Sequence, residues 1–383
     1  MGTASKKIVV ACDSFKGCLS SKEIAQTVAE AILSLDTSAQ VEKVVVADGG
    51  EGTVEALTSA CNEPVTWISC NVDAPLRELP QVEARYAIDH DGNTAYMELA
   101  EASGLMLVPR DKRDIMHAST LGTGQMVLDA VERGCRHIIM GLGGSATCDG
   151  GMGLLAALGA EFTDVKEHLL YPCAENLGKI NGIDLAGINN NILETRITLV
   201  IDVDNPLCGP KGATHIFAPQ KGASPKQVEI LEQGMCNYAR FLGKTATLAG
   251  AGAAGGVSAG MVALLPHCSM TKGAPYILGK ARLTQRIMNA DLVITGEGRI
   301  DSQTSMGKAP QTVATIAKQC NVPVIAICGS MVADIDVSAL GFKQIIPVTP
   351  SSMSLDIAIQ PSVARANIAH AITKYFTKRD SSN

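Results

Sequence analysis

The two ends of this 383-residue chain share one rhythm, a buried strand running into an amphipathic helix, and that alternation implies a parallel sheet covered by helices. Residues 7–11 (KIVVA) read as a strand buried on both faces, Ser20 and Glu23 form a capping box, and residues 21–34 place apolar groups at helical spacing. A second strand at 43–47 and a helix from about residue 52 complete a βαβα unit. After residue 284 the rhythm returns as strand 291–295, helix 308–319, strands 322–327 and 343–347, and a last helix at 361–377, with a frayed tail after Lys378.

The middle of the chain differs. Residues 82–90 and 93–99 alternate in strand fashion around Asp91-Gly92, a strong hairpin signal, so antiparallel pairing begins there. A helix at 123–133, a strand at 136–140, a glycine-rich loop, another helix, a strand at 197–201 and a helix opened by Ser224-Pro225 follow. The expected fold is α/β. A doubly wound parallel-sheet domain of Rossmann or flavodoxin-like type is built from residues 1–75 and 285–383, and a mixed α/β domain, 76–284, is inserted into it.

Charge and composition narrow the function. A net charge of −6 without any long Lys/Arg run argues against nucleic-acid or anionic-membrane partners, while leaving room for a small anion at local basic groups. The 12 cysteines show no CxxC spacing and nothing at the N-terminus resembles a cleavable signal, so they read as reduced cytosolic thiols. Seven histidines without an HxxxH or similar pattern give no reason to expect a zinc site. Residues 245–265 are uncharged and long enough for a bilayer, but their Ala/Gly content suits a glycine-rich loop leading into a buried helix better than a membrane span.

Five segments combine glycine with charge where packing alone has no need of it. DSFKG (13–17) follows the first strand and offers Lys16 to a phosphate or carboxylate; a solvated turn lysine is the plain alternative. ADGGEGT (47–53) follows the second strand, with Asp48 suited to magnesium or a hydroxyl, or to an Asx-turn. GLGGSATCDGGMG (141–153) contains the weak dinucleotide pattern GxGxxA at Gly141, Gly143 and Ala146, yet the inserted TCDGG delays the helix and favours a triphosphate with a metal. Asp202 and Asp204, read as alternating strand positions, share one face. Residues 290–303 run from a strand into a loop bearing Glu297, Arg299 and Asp301, followed by Gly307-Lys308 at a helix start. There is no GxxxxGK[ST], and GAGAAGG (250–256) lacks the acid of the GAGD signature of sugar kinases.

DSFKG, ADGGEGT, GLGGSAT.DGG, DVDNPL.G..GA, PQKGAS, GAGAAGG and ADLVITGEGRID.Q...GKAP, in this order and spacing, closely resemble the class I glycerate kinase family over residues 7 to about 375. Cys12 and Cys18 stand where the family more often has Pro and Ser, and Cys148 stands where Asn is usual. The resemblance implies ATP-dependent phosphorylation of D-glycerate, usually at the 2-hydroxyl, by a two-domain enzyme of the bacterial cytosol.

Phosphoryl transfer asks for positioning and charge stabilisation. Lys16, counted with Asp202 as catalytic, and Arg299 are expected to meet the substrate carboxylate, and Asp48, Glu297 or Asp301 its hydroxyls. Gly143, Gly144, Ser145 and Thr147 are expected to hold the ATP phosphates, with Asp202 as base and Asp204 or Asp48 on Mg2+. In-line attack on the γ-phosphoryl group in an interdomain cleft is the expected mechanism. A NAD(P)-dependent hydroxy-acid oxidoreductase and a non-catalytic sugar-acid sensor are the rival readings, and the oligomeric state, a homodimer included, is left open.

Overall fold

The structure, a computed structural model, describes residues 5–301, 308–332 and 340–380. Its strands are β1 (Lys7–Cys12), β2 (Gln40–Lys43), β3 (Thr66–Val72), β4 (Val82–Ile88), β5 (Thr94–Glu98), β6 (His137–Gly141), β7 (Glu161–Thr163), β8 (Gly182–Asp184), β9 (Arg196–Ile201), β10 (Cys268–Lys272), β11 (Leu292–Ile300), β12 (Val324–Met331) and β13 (Gln344–Pro347). The chain divides into two compact units, one of Met1–Asp48, Glu55–Ala60 and Ala274–Asn383, the other of Gly49–Val54 and Cys61–Gly273.

In the first unit five parallel strands lie in the order β13-β12-β11-β1-β2. Side chains alternate across a strand, so Ile8, Val10 and Cys12 face one way and Val9 and Ala11 the other. The first set joins Ile24, Val28 and Ile32 of the helix Ser21–Leu33 and Ile368 and Ile372 of the helix Pro361–Asp380. The second joins Leu278, Leu283, Ile287, Val313 and Ala317 from helices on the opposite face. Two apolar faces explain why these strands read as unbroken hydrophobic runs, and the doubly wound expectation holds.

The chain leaves β1 towards β2 on one side, while β11 leads to β12 and β13 on the other. Loops therefore diverge at the carboxyl ends of β1 and β11, the kind of switch point at which open α/β sheets bind ligands.

The strand expected at 43–47 forms earlier, at Gln40–Lys43. Val44 still donates its N–H to the Val10 carbonyl at 2.8 Å, and Val44, Val46 and Ala47 are buried. Their apolar character marks core, without a continued ladder.

The second unit holds six strands in the order β10-β9-β6-β5-β4-β3. The first four are mutually parallel, and β5-β4-β3 are antiparallel, with Asp91-Gly92 turning β4 into β5. β7 and β8 form a separate hairpin. Because β3 pairs with β4 along its whole length, it groups with the second unit, and the junctions fall elsewhere than 75/76 and 284/285. The 245–265 stretch becomes the short helix Ala253–Leu264, whose first turn is unwound at Ala254, Gly255 and Gly256, all at positive φ. A Cβ on Gly255 would lie 2.2 Å from the Thr147 carbonyl oxygen, which accounts for the glycine there. No helix among the described residues is long and apolar enough to cross a membrane.

Candidate active site

A cavity of about 510 Å³ opens in the first unit at the carboxyl ends of β1 and β11. β1 hands directly to Asp13, whose N–H donates to the Gly296 carbonyl at 2.8 Å. A tight turn follows, with the Phe15 N–H on the Leu19 carbonyl at 2.9 Å and Gly17 at φ +70°, and then the Ser20/Glu23 capping box opens the first helix. The turn presents Lys16, more than half exposed, with its Nζ 3.8 Å from the buried Asp48 carboxylate.

β11 extends further than the sequence reading placed it. Glu297 and Arg299 are strand residues opposite Cys328 and Ser330 of β12, and not part of a loop. Gly296 allows this, since a Cβ there would meet the Ile327 carbonyl oxygen at 2.2 Å. Alternation puts Glu297 and Arg299 on one side of the strand, and Asp301 follows directly after its end. Glu297 lies 3.9 Å from Lys308, and Arg299 lies 3.7 Å from Asp301. Gly307 falls outside the described residues.

All five residues expected to bind substrate or flank it, Lys16, Asp48, Glu297, Arg299 and Asp301, line this one cavity. Asp13, the first residue of the DSFKG segment and without an expected role, lines it too. Burial raises the Asp13 carboxyl to about 7, and the Asp48 and Glu297 charges add to the rise, against the Ser14 N–H and Lys16. Three buried or nearly buried acids beside two lysines and an arginine make a place where a polar anion can exchange for internal ion pairs. The far wall is apolar, formed by Val348, Met353, Ala358 and Ile359.

The second unit carries the glycine loop after β6. Gly143 donates its N–H to the Gly49 carbonyl at 3.3 Å, and a Cβ on Gly143 would lie 2.3 Å from the Gly50 Cα. The ADGGEGT and GLGGSAT loops are thus in backbone contact within this unit, and only glycine permits it. Gly144 is exposed at φ +73°, whereas Ser145 and Thr147 are buried. The Ala146 N–H is already committed to the Ser103 carbonyl at 2.8 Å.

Beneath the loop lies Lys221, 4% exposed, donating to Ser145 Oγ and to the Thr147 carbonyl, both at 2.7 Å. Burial lowers its pKa to about 8. Thr147 Oγ1 is buried without a hydrogen-bond partner among the described residues.

Asp149 does not place charge beside the loop's exposed edge. It is fully buried and accepts from the Thr120 N–H and hydroxyl and from the N–H groups of Gly151 and Gly153, tying two helix starts together. The delayed helix, Met152–Ala157, also departs from the dinucleotide fingerprint, in which the helix begins inside the motif. The Cys148 thiol is buried and pushed up to about 11, so it serves packing.

Asp202 and Asp204 do not sit in strand register, because β9 ends at Ile201. Both are exposed in the irregular segment beyond it, and Asp204 Oδ2 pairs with Lys272 Nζ at 3.0 Å. Asp202 nonetheless follows β9 directly, the strand beside β6.

Two functional candidates escaped the sequence reading. Lys221 lies in the PQKGAS segment, where nothing in the sequence shows that it turns inward. Glu98 ends β5, accepts the Val54 N–H at 3.0 Å, and is raised to about 7, chiefly by burial.

The model of the glycerate kinase family matches residues 8–377 of this chain. A glycerate 2-kinase of Escherichia coli K12 is 41% identical over 362 residues, 92% of this chain and 93% of that protein. A glycerate kinase of Bacillus cereus is 39% identical over 368 residues, 94% and 95% of the respective chains. Among solved structures, one described as a glycerate kinase 2 from Salmonella typhimurium LT2 superposes with a TM-score of 0.83 at 36% identity, covering 99% of both chains.

Proposed function

The chain belongs to the glycerate kinase family, and from that premise we propose that it transfers the γ-phosphoryl group of MgATP to the 2-hydroxyl of D-glycerate in the cytosol. The observation that carries this reading is the cavity at the switch point of the five-stranded sheet, where acids and cations from distant parts of the chain converge. D-Glycerate brings one carboxylate and two hydroxyls. Lys16 and Arg299 match the carboxylate, while Asp48, Glu297 and Asp301 match hydroxyl donors.

Gly143, Gly144, Ser145 and Thr147 are assigned to the nucleotide phosphates, with Lys221 holding the loop from beneath. Asp202 is assigned as the base that takes the hydroxyl proton during in-line attack. Bound magnesium supplies neutralisation of the phosphate charge. The exposed Asp204 carboxylate, paired with Lys272 in this structure, would offer it an oxygen ligand.

The test is to incubate the pure protein with MgATP and D-glycerate, measure ADP, and identify the product by phosphorus NMR. 2-Phosphoglycerate is expected. A 3-phosphoglycerate signal would move the acceptor to the terminal hydroxyl, and hydride transfer to NAD without ADP formation would replace the kinase reading. In the same assay Asp202→Asn is expected to lose about 10²–10⁴-fold in turnover; near-normal turnover would remove Asp202 from the mechanism.

A further inference from the structure

The segment after Asp204 leads through Cys208 into the short helix Ala213–Phe217, which packs against the long helix Pro225–Leu242. Glu232 and Cys236 are one helical turn apart on that long helix, so their side chains project to the same side. Cys208 Sγ, a carboxylate oxygen of Glu232 and Cys236 Sγ all lie within 4.8 Å of one another. Cys236 Sγ is 3.6 Å from Glu232 Oε1, and His215 Nδ1 is 3.4 Å from Glu232 Oε2.

The carboxylate is also oriented by its neighbours. The Gly209 N–H donates to Oε1 at 2.6 Å and the Thr214 hydroxyl donates to Oε2. Fixing a ligand carboxylate through its remaining lone pairs is what outer hydrogen bonds do around metal ions. Cys208 and Glu232 are half-buried and Cys236 is exposed, so an ion can enter from solvent.

We propose that Cys208, Glu232 and Cys236 bind a thiophilic divalent cation, Zn2+ foremost, with water completing its coordination. Two thiolates and a carboxylate within reach of one point suit zinc, and they are a poor set for the oxygen-seeking magnesium that accompanies a nucleotide. The ion would pin the segment that follows β9 to the helix Pro225–Leu242. Neither CxxC nor HxxxH marks the site. Its ligands come from a loop and from an i, i+4 pair on a helix, a pattern that no short motif marks.

The experiment uses full-length protein without a polyhistidine tag, reduced and stripped with a chelator. Titration with Co2+ is expected to bind one equivalent with a thiolate-to-cobalt charge-transfer band, which Zn2+ then abolishes. Zn2+ is expected to raise the melting temperature, since it binds the folded state preferentially. Cys236→Ser and Cys208→Ser are expected to lose both effects. Cobalt binding without the band, or a band surviving in both variants, overturns the proposal. In the unsubstituted protein Zn2+ should slow iodoacetamide labelling of Cys236; equal labelling with and without Zn2+, or a Cys208–Cys236 disulfide forming in air at the same rate in its presence, also overturns it.

Discussion

At the scale of single residues, two buried charges tie the candidate site to measurable pH dependence. Asp13 holds its proton to about pH 7 because it is buried beside Asp48 and Glu297. The folded state therefore binds more protons than the unfolded chain between the ordinary carboxylate range and pH 7. The stability this contributes is fully present below that range and is lost as pH rises through about 7. Asp13→Asn keeps the shape and removes the titration, so its unfolding free energy relative to the parent should rise between pH 5 and pH 8 in urea denaturation. A constant difference would mean that Asp13 is ionised throughout.

Lys221 has the opposite sense of linkage. Its folded pKa, about 8, lies below the ordinary lysine value, so its contribution is lost as pH falls through 8 and regained towards pH 10. Lys221→Met should abolish that gain. The substitution leaves Ser145 Oγ and the Thr147 carbonyl without their donor, at a cost of about 1–3 kcal/mol for each unpaired group. Denaturation of the two proteins at pH 8, 9 and 10 checks both statements. That Lys16 and Asp48 serve one cavity was legible, because each follows a strand; that Lys221 turns inward was not, because a lysine in a glycine-flanked motif reads as solvated.

At the scale of elements, the signals that worked were local and stereochemical. Ser20/Glu23 forms the expected capping box, Ser224-Pro225 opens the helix Pro225–Leu242, and Asp91-Gly92 turns the β4–β5 hairpin. Apolar runs located β1, β11 and β12 within a few residues. Their ends were less legible. β11 continues through Glu297 and Arg299 because β12 offers it hydrogen-bond partners as far as Met331, a tertiary circumstance invisible in a charged Gly-Glu-Gly-Arg run. β9 stops before Asp202, so period-2 reasoning applied to Asp202 and Asp204 used a strand that does not reach them. β3 and β10 escaped notice although Ile68, Cys70 and Val72 of one and Cys268 and Met270 of the other pack on the core, because both strands lie at the sheet's edges and their apolar positions are few, with polar residues such as Ser69, Ser269 and Thr271 between them.

At the scale of the molecule, the parallel rhythm at both ends identified the discontinuous sheet, and the hairpin identified the different character of the middle. Each unit has its own apolar core. All six strands of the second unit's main sheet lie between residues 61 and 273, so a fragment of residues 49–273 is expected to fold alone, with a cooperative thermal transition by circular dichroism. A non-cooperative melt would mean that its core depends on the chain ends. The first unit has no such continuous fragment, since β1 and β11 are separated by the whole second unit. The most direct measurement is calorimetric titration of D-glycerate into the full-length protein and into Lys16→Met and Glu297→Gln. Binding to the unsubstituted protein with at least roughly tenfold weaker affinity in both variants, as expected for loss of a charge-assisted contact of about 1.5–3 kcal/mol, is predicted; unchanged affinity in both would contradict placing the hydroxy acid in this cavity.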